Sequence, residues 1–329
     1  MEMSRGAAET GAEQAARRRF RAAAVFTSVY VYALILFGGT VRITGSGLGC
    51  GDDWPRCNGH LIPPMDFETL VEYTHRLLAA GFFLPLALLA FLAFRHRALP
   101  RFRGAGGIGR AVVASILLLA VQVLLGAATV KLDLPAGVTA LHLVTAMLIL
   151  GAIVLSAVRA SDAGLTGAGL GGRRFGPMAM GAAVLGLIVV GMGALTANLG
   201  MVGASGAPSP TAFACQGFPL CNGALFPAGG GMVHTHWTHR VLAYLLALHV
   251  LAATVIVIRR GAPAAVRRAA ISALALVIAQ VVLAAALVLM SLPDLLRAGH
   301  LALGTALWTA LVIWAAIGRR ADRVITGAA

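Results

Sequence analysis

The chain has 329 residues, of which 59% are hydrophobic and only 12% charged, with a formal net charge of +14 and a mean hydropathy of +0.87. A composition this apolar excludes an ordinary soluble domain and points to the lipid bilayer. The positive charge falls in short arginine clusters between apolar runs rather than along one polar face, so it argues for membrane topology and against nucleic-acid binding.

Eight apolar segments follow in chain order, at residues 23–41, 71–94, 111–130, 137–158, 176–197, 232–258, 269–289 and 298–317. Each approaches the roughly 20 residues a helix needs to cross about 30 Å of hydrocarbon. Helices also satisfy their own backbone hydrogen bonds there. The predicted fold is an all-α integral membrane protein with eight transmembrane helices. Basic groups crowd the first tail (RRRFR), alternate connections (RHRALPRFRGAGGIGR, GGRRF, RRGAPAAVRR) and the last tail (GRRADR). The opposite loops carry Asp52, Asp53, Asp66, Glu68, Asp133 and Asp294. This bias predicts that both termini are cytoplasmic and both cysteine-bearing loops extracytoplasmic. Residues 1–22 and 318–329 are then cytoplasmic tails, and the first apolar segment reads as an N-in span rather than a cleaved signal peptide.

A duplication runs through the chain. The stretch CGDDWPRCNG after the first span has an altered echo, CQGFPLCNG, after the fifth. His75–Arg76 begins eighteen residues after Cys57, and His239–Arg240 eighteen residues after Cys221. Gln122 precedes His142 by twenty residues, as Gln280 precedes His300, and Pro135 and Pro293 each precede those histidines by seven. The economical reading is two four-helix repeats, 23–158 and 176–317, joined by a Gly- and Ser-containing cytoplasmic linker, 159–175. Because each repeat starts on the cytoplasmic side, the two are parallel, with a pseudo-twofold axis along the membrane normal.

His75 and His239 fall near the outer ends of the second and sixth spans, and His142 and His300 one or two turns inside the outer ends of the fourth and eighth. Two facing imidazoles per half can hold a haem iron axially while the surrounding helices bury the macrocycle. Imidazole suits copper and zinc as well, and a single intramembrane histidine is equally explained by helix packing. The matched depths favour metal ligation, and the large enclosure favours haem. Gln122 and Gln280 are amides in apolar spans that need partners, either on a neighbouring helix or at a haem edge. His249 lies deeper and reads as structural; His60 and His96 lie in connections, and His234 and His236 crowd His239 without a distinct assignment. Trp54 and Trp237 suit the membrane interface.

The stretch GGTVRITGSGLGCGDDWPRCNG leading into EYTHR, with His142, His239 and His300 in register, resembles the haem A synthase family over roughly residues 25–317. The resemblance implies oxidation of the C8 methyl of haem O to the formyl of haem A by successive hydroxylations, supplying the cofactor of terminal oxidases. It implies a substrate-haem site at His75 and His142 and a bound haem b at His239 and His300. Glu72 precedes His75 by three residues and shares its helix face, whereas His236 holds the matched place in the second half. The family requires this glutamate, which implies a proton-transfer role. Arg76 and Arg240 either pair with haem propionates or snorkel to the interface; Arg42 is a further candidate beside the substrate haem. The cysteines pair as Cys50–Cys57 and Cys215–Cys221 on loops where oxidising conditions allow disulfides. Cys215–Cys221 reads as a structural cap; Cys50–Cys57 is either an inert clamp or a redox-active element of haem transfer. The implied partners are a haem O-supplying enzyme, a quinone or membrane electron-transfer partner and the terminal oxidase assembly machinery, in a bacterial cell membrane. The readings from other classes are a non-catalytic haem b electron-transfer protein and a haem transporter.

Overall fold

The computed structural model describes residues 2–326 except 65, 104–105, 162–174, 202–203 and 205, with side chains described within 11–323. Ten α-helices follow in order: α1 Glu2–Ile43, α2 Phe67–Gly81, α3 Phe83–Arg95, α4 Ile108–Lys131, α5 Ala136–Ala160, α6 Gly176–Asn198, α7 Pro210–Phe213, α8 Gly231–Arg259, α9 Ala264–Leu289 and α10 Asp294–Thr326. Helices α2 and α3 run on through Phe82 as one span, Phe67–Arg95. With that span counted once and the short α7 set aside, eight helices among the described residues are long and apolar enough to cross a bilayer.

Two helices are longer than the apolar segments alone indicate. Helix α1 reaches back through the residues read as a tail, and the stretch long and apolar enough to span lies within Gly11–Ile43. The sequence EQAARRRFRAAA is rich in strong helix formers, and Phe20, fully buried, meets Phe102 edge-on with centroids 5.6 Å apart. Helix α10 starts at Asp294, one turn ahead of its apolar segment, directly after Pro293. The predicted linker, 159–175, lies largely outside the described residues.

Helix α5 packs on α4 and α1, and α10 on α9 and α6, while α5 and α10 also meet each other and α6. The core is therefore densest where α5, α6 and α10 converge, around Met147, Leu150, Ile153, Leu311 and Trp314. There the Trp308 indole N–H donates to the Met147 carbonyl at 2.8 Å, joining α10 to α5. At the other end of α10, Asp322 accepts from the Phe175 and Gly176 amides at 2.7 and 2.8 Å. A carboxylate is thus placed on the unpaired N–H groups that begin α6, where the helix dipole favours it.

The backbone repeats its unusual conformations at matched places. Asp133 and Leu134 (φ 55° and 59°) lead into Pro135 and α5, just as Ser291 and Leu292 (φ 61° and 63°) lead into Pro293 and α10. Leu134 N–H donates to Thr129 O and Leu292 N–H to Leu287 O, so both turns close the preceding helix in the same way. Two successive left-handed residues are costly for non-glycine side chains, and the recurrence places His142 and His300 at the same height above their turns.

Candidate functional site

Each cysteine pair forms a disulfide, Cys50–Cys57 and Cys215–Cys221, and all four cysteines are buried. The Cys-Asn-Gly motif supplies the bend in both loops. Asn58 and Gly59 have φ of 51° and 78°, Asn222 and Gly223 of 53° and 75°, and the amides of His60 and Ala224 close back onto Cys57 O and Cys221 O at 3.0 Å. Asn-Gly is the pair that populates left-handed φ at both central turn positions. The asparagine side chains then tie each loop inward, Asn58 Nδ2 to Gly49 O and Asn222 Nδ2 to Ala214 O, both at 3.0 Å.

An arginine below each loop holds it to the helix that carries the first histidine. In the first half Arg76 Nη1 donates to Asp53 O and Arg56 O, each at 2.8 Å, while Nε and Nη2 donate to Glu72 Oε1 at 3.0 and 2.6 Å. Glu72, 4% exposed, completes the arrangement by accepting the Cys50 amide on Oε2 at 2.8 Å. In the second half Arg240 Nη1 donates to Gly217 O and Leu220 O at 2.8 and 3.0 Å, and Nη2 to Cys215 O at 2.7 Å. Its Nε donates to His236 Nε2 at 3.2 Å, and His236 Nδ1 donates to Thr211 O at 3.0 Å. That pair of bonds fixes His236 as a neutral acceptor toward the arginine. A second tie recurs one turn earlier: Tyr73 Oη donates to Leu61 O at 2.5 Å and Trp237 Nε1 to Leu225 O at 2.9 Å.

The four histidines lie on α2, α5, α8 and α10, each partly accessible within the helix layer. Small residues make room for three of the rings. A Cβ on Gly38 would come within 3.1 Å of His75, one on Gly126 within 3.2 Å of His142, and one on Gly193 within 2.9 Å of His239. Phe37 also stacks on His75 with centroids 6.1 Å apart. Gln122 Nε2 lies 3.2 Å from His142 Nε2, and Gln280 Nε2 lies 3.1 and 3.3 Å from the two ring nitrogens of His300. Around both pairs, buried polar atoms lack any hydrogen-bond partner: Nδ1 of His75, His142 and His239, and Oε1 of Gln122 and Gln280.

The structure thus brings Glu72 and Arg76 together with the Cys50–Cys57 loop, and Arg240 with the Cys215–Cys221 loop. Each nitrogen of both arginines donates within the protein. Arg42 stands apart from these clusters and donates to Asn198 Oδ1 at 2.9 Å and to the Ala197 carbonyl. His249 accepts its structural reading, with Nε2 2.9 Å from Met178 O. His96 lies against Phe102, outside the spans, where burial and the nearby Arg95 hold its imidazole below the usual range. Sequence reasoning missed Gly38, Gly126 and Gly193, whose signal is a glycine kept inside an apolar helix despite its propensity cost. A surface crevice of about 620 Å3 is lined by residues such as Leu199, Pro210 and Met232 and contains none of the four histidines.

The family described as cytochrome oxidase assembly protein, COX15-CtaA, matches residues 21–312. A heme A synthase of Symbiobacterium thermophilum is 30% identical over 302 residues, covering 89% of this chain and 94% of its own. A heme A synthase of Alkalihalophilus pseudofirmus is 30% identical over 235 residues, 71% of this chain and 75% of its own. That of Bacillus mycoides is 33% identical over 120 residues, 36% of this chain and 37% of its own. With the family match running through both cysteine loops and all four histidines, the chain belongs to the COX15-CtaA family of cytochrome oxidase assembly proteins, among the haem A synthases.

Proposed function

We propose that the protein oxidises the C8 methyl of haem O to the formyl group of haem A, with two parallel four-helix repeats dividing substrate from cofactor. The half spanning 23–158 takes the substrate haem between His75 and His142; the half spanning 176–317 holds a haem b between His239 and His300. Both cysteine loops face the extracytoplasmic side, and both termini the cytoplasm. The observation that carries the reading is the clustering of unpartnered buried nitrogen and amide oxygen atoms around two histidine pairs, with Gly38 and Gly126 making room for the first pair of rings and Gly193 for that of His239. Buried polar atoms are almost always paired, so a site with several orphans fits a bound group with polar and metal character. Paired imidazoles with an apolar surround would suit haem.

In this reading haem b supplies one-electron redox chemistry. The chain's own residues bind, orient and move protons. His75 and His142 fix the substrate ring between α2 and α5, and the disulfide loop above limits access of water. Glu72, one turn from His75, is the proton-exchanging group; it is the one acidic member of the clamp, since the second half has His236 there. Conversion of methyl to aldehyde takes two hydroxylations, each consuming one water and releasing two electrons and two protons, through the alcohol to a geminal diol that loses one water. A quinone or a membrane redox protein exchanges the electrons, a haem O-supplying enzyme delivers substrate, and oxidase assembly machinery receives product.

The two halves are separable by experiment. In membranes supplied with haem O, His75→Ala and His142→Ala should abolish haem A in extracted pigment while a reducible b-type spectrum persists. His239→Ala and His300→Ala should remove that spectrum. Loss of the spectrum from the first pair alone, with the second pair dispensable, would reverse the assignment.

A further inference from the structure

The seam between the halves holds a group of cations that neither histidine pair nor either loop uses. Arg42, at the outer end of α1, donates from Nε to Asn198 Oδ1 at 2.9 Å and from Nη2 to the Ala197 carbonyl and to Met201 Sδ, the latter at 2.9 Å. All three partners belong to α6 or the residues after it, across the seam. Arg297, in the first turn of α10, donates from Nη1 to Gly206 O at 2.8 Å and to Asp294 Oδ1 at 2.7 Å. Gly206, the residue Arg297 bonds, packs against the chain just after Arg42, where a Cβ on it would come within 2.7 Å of Ile43 O.

Two features mark this pair as a binding site. The Arg297 side chain is only 9% exposed, yet its Nη2 is buried without a hydrogen-bond partner. The carboxylate bonded to Arg297 belongs to Asp294, which is 71% exposed and so mostly screened by solvent. Like charges brought together away from water repel, and an unpartnered charged donor bears its full desolvation cost. An oxyanion between the arginines relieves both, with strong charge-assisted hydrogen bonds.

The position of the pair indicates which oxyanion. Arg297 precedes His300 by three residues, which puts the two on one face of α10 about 4.5 Å apart along the axis. Leu301, next to His300, packs on Gly39, whose neighbour Gly38 faces His75. These contacts put residues beside both histidine pairs on the seam, with Arg297 on its His300 side. We propose that Arg297, with Arg42 reaching across from the first half, forms a carboxylate site that holds a propionate of the tetrapyrrole carried by His239 and His300. The proposal rests on the haem reading above, and it moves Arg42 from the substrate haem to the retained one. It also gives that haem a structural part, because its carboxylate joins a residue of α1 to one of α10.

The test is discrimination between protohaem and its dimethyl ester, which has no free carboxylate. Binding is titrated in phosphatidylcholine nanodiscs on protein carrying His142→Ala, so that only the second pair is bis-histidine. The free acid should bind about 10- to 100-fold more tightly than the ester, as expected for one or two charge-assisted hydrogen bonds. Arg297→Gln should collapse that preference to within about threefold, and Arg297→Lys should restore part of it. A preference unchanged in Arg297→Gln would overturn the proposal and leave the haem reading standing. The proposal also falls if the substitution alters only the phosphatidylglycerol that co-purifies, because the anion is then a lipid phosphate. If the parent shows no bis-histidine haem spectrum at all, the haem reading falls and takes the proposal with it.

Discussion

Replacing Glu72 by histidine should separate the two jobs that the structure gives this residue. Glu72 braces the Cys50–Cys57 loop through Arg76 and the Cys50 amide, and in the proposed reaction it also exchanges protons. The second half braces its loop with His236 and Arg240 instead. The Glu72 and Arg76 side chains are 5% and 16% exposed, so Glu72→Ala strands a largely buried guanidinium. Losing one partner of a buried pair costs about 3–5 kcal/mol; Arg76 keeps its two loop carbonyls, which argues for about 3 kcal/mol. That corresponds to roughly 100-fold more frequent loop opening. Glu72→His keeps an acceptor for Arg76 and loses mainly the Cys50 contact, about 1 kcal/mol. The assay is the rate of Cys50–Cys57 reduction by a dilute dithiol, followed by thiol alkylation, alongside haem A formation. Glu72→Ala should speed reduction by about two orders of magnitude and stop conversion; Glu72→His should stop conversion while reduction stays within about tenfold of the parent. Normal conversion by Glu72→His would refute the proton role, and an unchanged reduction rate in Glu72→Ala would refute the brace.

Three further outcomes follow from the geometry. Gly193→Ala puts a Cβ 2.9 Å from His239, so it should displace that ring and weaken retained haem on a detergent-washed column while Gly191→Ala, with its Cβ 3.4 Å from Val144, should not. Asp322→Ala removes the acceptor for two α6 amides and should lower thermal stability by about 1–2 kcal/mol. Asp66 caps α2, and the Thr69 amide holds its carboxyl below the usual range. A carboxyl depressed on folding stabilises fully above its unfolded value, about 3.9, and the contribution fades as pH falls through the lower folded value. Amide exchange in the first turn of α2 should therefore accelerate with acid below about pH 4 relative to Asp66→Asn, in which that dependence is absent.

How much of this was legible in the sequence depends on whether the signal was periodic or relational. The eight spans and both disulfide loops could be read because apolar length and repeated spacing are local properties. The extension of α1 could have been read from its Ala, Glu, Gln and Arg content, but its polarity disguised it beside a strongly apolar span. The bends at Asn58–Gly59 and Asn222–Gly223 carried the Asn-Gly turn signature in plain sight. The work of Arg76 and Arg240 did not, because their partners are backbone carbonyls of loops, and a carbonyl has no sequence identity. The same holds for Arg297, whose partner across the seam is the Gly206 carbonyl.

The central claim is that the two halves together oxidise haem O rather than carry haem or electrons. Mass analysis of haem extracted from purified protein in nanodiscs, incubated with haem O and a reducible quinone, tests it most directly. The account predicts haem A with the hydroxylated intermediate accumulating early, and neither product in His142→Ala. Unaltered haem O in a sample with both histidine pairs occupied and redox-active would contradict it.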